Sequence, residues 1–111
     1  MKLEQQVCRL GLAKRLKELG VKQDAFLVWD EDEERICRRE LYEHHNYYSA
    51  FSVAELGEML PRDCRLRRSV NEPGKWLVDA LSTDRFFRAE TEADARAKML
   101  IYLLENKLLN P

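Results

Sequence analysis

Apolar residues recur with helical spacing at both ends of the chain and with alternating spacing between them. From Glu92 to Leu109, Ala93, Ala97, Leu100, Leu104 and Leu108 form one stripe. Met99, Ile101, Tyr102 and Leu103 widen it until the second half is apolar nearly all round. A helix of this kind needs cover on more than one side, from a sheet, a second helix or another copy of the chain. Thr91-x-x-Asp94 marks its start: the hydroxyl accepts from a first-turn N–H, Asp94 reaches back, and Glu92 and Asp94 suit the positive dipole end. Near the other terminus, Cys8, Leu12, Leu16 and Leu19 share a face, which predicts a first helix over Glu4 to Leu19 with Gly11 loosening its early turns. Gly20 suits the left-handed position that follows, with Val21 folding back onto Leu16.

The middle of the chain reads mostly as strands. Ala25 to Trp29 is a short aromatic-containing apolar run, and the acidic stretch Asp30 to Glu34 breaks it as a hairpin turn. Arg35 to Tyr42 returns as a charged edge strand with Ile36, Cys37 and Leu41 inward. Ser52-Val53-Ala54-Glu55 is a capping box, with Phe51 placed to staple onto Leu56 and Pro61 to end the helix. Cys64, Leu66 and Val70 alternate with Arg65, Arg67 and Ser69, and Arg68 breaks the inner row. The turn Asn71 to Gly74 leads into Lys75 to Leu81, with Trp76, Val78 and Ala80 on one face. A last strand, Arg85 to Ala89, runs into the closing helix. The order is α-β-β-α-β-β-β-α: one α+β domain over residues 1–111, a mainly antiparallel sheet with the N- and C-terminal helices packed on it.

Composition narrows the function classes. The chain has 111 residues and a net charge of −1, so no global field favours nucleic acid or an anionic membrane. No apolar run approaches the length of a membrane span, and the first residues lack the apolar core of a signal peptide, so the expected location is the cytoplasm. The odd, widely spaced Cys8, Cys37 and Cys64 read as reduced core thiols.

Candidate chemistry is sparse. The acidic turn fails as a calcium loop, because Arg35 stands where the glycine belongs and Leu41 where the bidentate glutamate belongs. His44 and His45 are adjacent, point in different directions and lack the spacing of a helical zinc pair, so no metal and no cofactor is expected. Neither a nucleophile elbow nor a phosphate-binding glycine loop occurs, which leaves an enzyme without support. Two binding surfaces remain. Tyr42, His44, His45, Tyr47 and Tyr48 make an aromatic and polar loop with no clean period, which serves either as a contact surface or as a plug for the end of the core. Arg65, Arg67, Arg68, Arg85 and Arg88 fall in the strand meander, where Arg65, Arg67 and Arg85 on one outer face would make a basic patch beside Trp76, Phe86 or Phe87.

Three blocks also carry a resemblance: Leu12 to Val21 (LAKRLKELGV), Phe51 to Pro61 (FSVAELGEMLP) and Ala89 to Asn106 (AETEADARAKMLIYLLEN). Together they resemble a group of small uncharacterised proteins of phages, prophages and other mobile elements of gut bacteria. The matching blocks are capping and packing elements, so the resemblance implies a shared fold more than a shared site. It implies a bacterial or phage origin and an accessory role, with His44 to Tyr48 in the variable part. The function expected is a non-enzymatic protein-interaction module, resting on the apolar surface of the last helix and the Tyr-rich loop, with an unidentified protein as partner or self-association through Met99, Leu103 or the tail Leu108-Leu109. The alternative is a nucleic-acid-binding accessory factor using the 62–88 meander.

Overall fold

The computed structural model describes residues 2–32, 34–41 and 47–111. The elements are α1 (Leu3–Gln6), α2 (Leu10–Glu18), β1 (Leu27–Asp30), β2 (Arg35–Arg38), a 3-10 turn (Arg39–Leu41), β3 (Tyr48–Ser49), α3 (Val53–Met59), β4 (Cys64–Arg68), β5 (Trp76–Ala80), β6 (Arg85–Ala89) and α4 (Glu92–Glu105). The class is α+β, and every strand pairing is antiparallel.

The strands form two sheets rather than one: β2-β1-β3 and β4-β5-β6. The long closing helix lies between them. Ala93, Ala97, Leu100, Ile101 and Leu104 of α4 join a core with α2, α3 and the first sheet, around Leu16, Trp29, Phe51 and Leu56. Ala95, Met99 and Leu103 join a second core with the inner face of β4-β5-β6, around Val78, Ala80 and Ala89. At about 100° per residue these two stripes lie on opposite sides of the helix. The near-continuous apolar surface of α4 is thus used up inside the molecule. Met99 is 0% and Leu103 3% exposed, so neither forms a surface for a second copy. Leu108 remains 56% exposed, while Leu109 packs partly against both cores.

The first helix is interrupted at Val7 to Arg9, not at Gly11, which sits inside α2. Tertiary hydrogen bonds account for the break. Val7 bridges to Ser52, the Cys8 amide donates to the Phe51 carbonyl at 2.9 Å, and the Cys8 carbonyl accepts from buried Trp29 Nε1 at 2.9 Å. The Arg9 amide donates to Asp94 Oδ1 at 2.8 Å, so the Asp94 carboxylate caps α2 rather than its own helix. Val70 lies beyond β4 and is 90% exposed, so it is not part of the inner row.

The local end signals behave as expected. Ser52 Oγ accepts from the Glu55 amide and Glu55 Oε1 from the Ser52 amide, completing the capping box of α3. Thr91 caps α4 by accepting from the Asp94 amide. Val21 N–H to Leu16 O and Gly20 N–H to Lys17 O form the Schellman ending of α2, with Gly20 at φ +91°. The same ending closes α4, through Leu108 N–H to Leu103 O and Lys107 N–H to Leu104 O, but its left-handed residue is Lys107 at φ +56°. A side chain in that region costs about 1 kcal/mol or more. Lys107→Gly is therefore expected to raise the unfolding free energy by about 0.5–1 kcal/mol, read from urea titration, the extra freedom of glycine in the unfolded chain removing part of the gain.

Candidate interaction surface

The β4-β5-β6 meander has two unlike faces. Its register pairs Leu66 with Val78 and Val78 with Phe87, and these side chains point at α4. One step along each strand, Arg65 pairs with Asp79 and Asp79 with Phe86, while Arg67 pairs with Leu77 and Leu77 with Arg88. Side chains alternate across a strand, so these six lie on the face away from the helix. Among the described elements none covers that face. Phe86 is 53% exposed there, and Leu81 just beyond β5 is 64% exposed. A shallow hollow of about 370 Å³ runs over it, lined by Leu77, Phe86 and the arginines around them.

The arginines are organised by two carboxylates. Asp79 takes both Arg65, at 3.3 Å, and Arg67, at 3.6 Å, so two guanidinium groups share one acid. Arg88 pairs with Glu72, and its guanidinium lies 5.3 Å from the Phe86 ring centre. Arg65 and Arg67 thus share their row with Arg88 rather than with Arg85. Arg85 and Arg68 fall in the helix-side register and stack on aromatic rings, Arg85 at 5.6 Å from Tyr102 and Arg68 at 4.6 Å from Trp76. Trp76 and Phe87 belong to the helix-side core. Of the three rings named with the patch, Phe86 is the one on the open face. Leu77 and Asp79 complete the surface and were not singled out from the sequence. Their place depends on the registers of both hairpins, which shift a face with every residue of slip.

The aromatic loop divides differently. Tyr42, His44 and His45 lie outside the described residues. Tyr47 and Tyr48 are half-buried against α2. The Tyr47 hydroxyl donates to Gln23 O at 3.1 Å, and Lys17 Nζ donates to Tyr47 O at 2.8 Å while lying 4.9 Å from the Tyr48 ring centre. Lys14 Nζ sits 5.7 Å from the same ring and 2.6 Å from Glu31 Oε1. That hydrogen bond holds the Lys14 ammonium above and the Glu31 carboxyl below their ordinary ranges. Tyr48 also pairs with Trp29 across β3 and β1.

Reactive groups are few elsewhere. Burial pushes the Cys8 thiol up to about 12, with the Asp94 carboxylate adding to the effect. Burial, aided by Asp63 and Asp79, pushes Cys64 up to about 11, and burial raises Cys37 as well. None of the three thiols is activated towards thiolate. Among the described residues no group of three or more His, Cys, Asp or Glu is placed to hold a metal ion. A hollow of about 430 Å³ lies where Ser52 and Thr91 begin α3 and α4, beside Trp76, Glu90 and Glu92, but both hydroxyls there serve as helix caps. Among the described residues no helix is long and apolar enough to cross a membrane.

Comparison of the chain with family models, with curated proteins and with solved structures finds no match.

Proposed function

We propose that this chain is a small non-enzymatic protein-interaction module, an accessory factor of phage or prophage origin working in the cytoplasm. Its contact surface is the open face of the β4-β5-β6 sheet. The observation that supports this reading is the half-covered meander. An antiparallel sheet can face water on one side, but that side then ordinarily carries polar residues. Here Phe86 and Leu77 stand in the middle of it, with Leu81 at the end and arginines around them. Aromatic and arginine side chains at the centre with a charged surround are the composition of interface hot spots.

The test is capture of partners from a bacterial lysate by the tagged protein, beside a Phe86→Ser, Leu81→Ser double variant. Both side chains are exposed, so the two substitutions together are expected to leave the unfolding free energy within about 1 kcal/mol of the parent. The expected result is a stoichiometric protein held by the parent and lost by the variant. Equal capture by both would end the reading.

Nucleic-acid binding is the second reading, supported by the Arg88–Phe86 stack beside Arg65 and Arg67. It requires salt-dependent retention of an oligonucleotide that is abolished by Arg65→Glu with Arg67→Glu. Asp79 and Glu72 within the same patch weigh against it, since they neutralise part of the charge a phosphate backbone would meet.

A further inference from the structure

The hydrogen-bond parity of the meander exposes one strand edge in a usable form. The Leu81 amide donates to Asp63 O at 3.4 Å and the Ser69 amide to Lys75 O at 3.0 Å, one at each end of β4. With the antiparallel register these fix Arg65 and Arg67 as the residues whose backbone groups bond to β5. Leu66 and Arg68 alternate with them, so their N–H and C=O groups point away from the sheet. Among the described residues nothing bonds to them. The opposite edge is different: there the outward carbonyl of Arg88 accepts from Lys98 Nζ at 2.8 Å.

The charge along the β4 edge is one-sided. Pro61 to Ser69 carries Arg62, Arg65, Arg67 and Arg68 against Asp63. The Asp63 carboxylate is already engaged by Ser82, whose hydroxyl first and amide second hold it below the ordinary carboxyl range. Arg65 and Arg67 share the single carboxylate of Asp79, and among the described residues Arg62 and Arg68 have no acidic partner within ion-pair distance. Beside the edge, on its helix side, lies a hollow of about 160 Å³ bordered by Gly57, Leu60, Pro61 and Leu66, with room for a side chain.

We infer that the open edge of β4 takes an acidic, extended segment of a partner protein as a fourth strand of the sheet, with carboxylates at alternate positions facing Arg65 and Arg67. The inference deepens the interaction-module reading and rests on it. Strand addition uses main-chain hydrogen bonds for affinity and alternate side chains for specificity. The edge offers donors and acceptors in alternation, which a peptide backbone matches. A phosphate backbone has no donors for the Leu66 and Arg68 carbonyls. A second copy of the chain fits worse, because two-fold pairing about Leu66 sets Arg65 of each copy opposite Arg67 of the other, and like charges facing across strands are destabilising.

The probe is a short peptide alternating glutamate and valine, set beside three controls: the same composition with its glutamates in one block, the alternating peptide N-methylated at every second residue, and oligothymidylate. Amide hydrogen exchange is followed by NMR on the full chain. Without peptide, the Leu66 and Arg68 amides are expected to exchange fast and those of Arg65 and Arg67 slowly. Saturating alternating peptide is expected to slow Leu66 and Arg68 about tenfold or more. N-methylation on the bonding side removes the effect, and Arg65→Gln with Arg67→Gln weakens the peptide about tenfold. The proposal is overturned if Leu66 and Arg68 stay fast, if the blocked peptide protects them equally, or if oligothymidylate displaces the peptide. It is also overturned if their protection grows with protein concentration alone. Failure of the peptide while the Phe86→Ser, Leu81→Ser pair still abolishes lysate capture removes the edge and leaves the module. Edge protection with capture unchanged removes the open face instead.

Discussion

Phe51→Ala is expected to lower the unfolding free energy by about 3–5 kcal/mol, the range for removing a fully buried aromatic ring. Phe51 is 2% exposed and the largest of the fully buried side chains. Its position makes the upper part of the range the expected one. The residue precedes the Ser52 cap of α3, shares the first core with Leu56, and its carbonyl accepts the Cys8 amide where the first helix is interrupted. The ring itself lies in the core shared by Leu16 of α2, Trp29 of β1 and Leu56 of α3, three segments that cannot collapse independently into the space it leaves. Against a typical total of about 5–15 kcal/mol, the loss is a large fraction of what keeps a domain folded. Urea titration followed by the fluorescence of Trp29 and Trp76 reads it as a lower midpoint at unchanged slope. A loss below about 1.5 kcal/mol would mean that the site repacks and that the three segments are not held through this ring.

Alkaline conditions are expected to destabilise the fold through Cys8. Burial raises the folded-state thiol from 9.0 to about 12. A group whose folded pKa is raised contributes stability that is complete below the unfolded value and is lost as pH rises towards the folded one. In the window between about 9 and 12 the unfolded chain ionises and the folded chain does not. The unfolding free energy then falls by up to about 1.4 kcal/mol per pH unit. Comparison with Cys8→Ala isolates this slope from other groups titrating at high pH. The parent's advantage at neutral pH is expected to shrink by about 2 kcal/mol near pH 10.5. Parallel curves for the two proteins would show that the thiol titrates alike in both states. Alkylation gives the same reading without mutation: Cys8 stays unmodified in the native protein and reacts on unfolding.

What was legible in the sequence was local. The Ser52–Glu55 capping box, the Thr91 cap, the Schellman ending at Gly20 and the turn at Asn71 to Gly74 each depend on residues within a few positions, and each appears as read. The alternation in β4 and β5 was legible for the same reason. The doubly apolar α4 announced that it needed cover on two sides, and two cores provide it. What was not legible depends on distant partners. The break at Val7 to Arg9 is set by Ser52, Phe51, Trp29 and Asp94, none of which is near in sequence. The division into two sheets has the same origin: Tyr48 and Ser49 join β1 from some twenty residues away, and α4 packs between that sheet and the meander.

The candidate surface was legible in composition and not in detail. The arginine excess between Arg62 and Arg88 can be counted, but which arginines share a face depends on two hairpin registers at once. An expectation that grouped Arg85 with Arg65 and Arg67 failed because Ala80 pairs with Arg85, placing it one step out of phase with Asp79. Arg68 and Arg85 then turn towards Trp76 and Tyr102, where their guanidinium groups find ring faces.

The packing of α4 between the two cores also sets an order of events during synthesis. Both sheets precede this helix in the chain, and each needs it as a cover. As a nascent chain leaves the ribosome, the inner face of the meander and the α4 side of the Phe51 core stay open to water until α4 has emerged. Neither sheet can settle alone in the meantime, because the same helix closes both. Translation speed through the meander thus sets how long these apolar faces are open to chaperones or to one another.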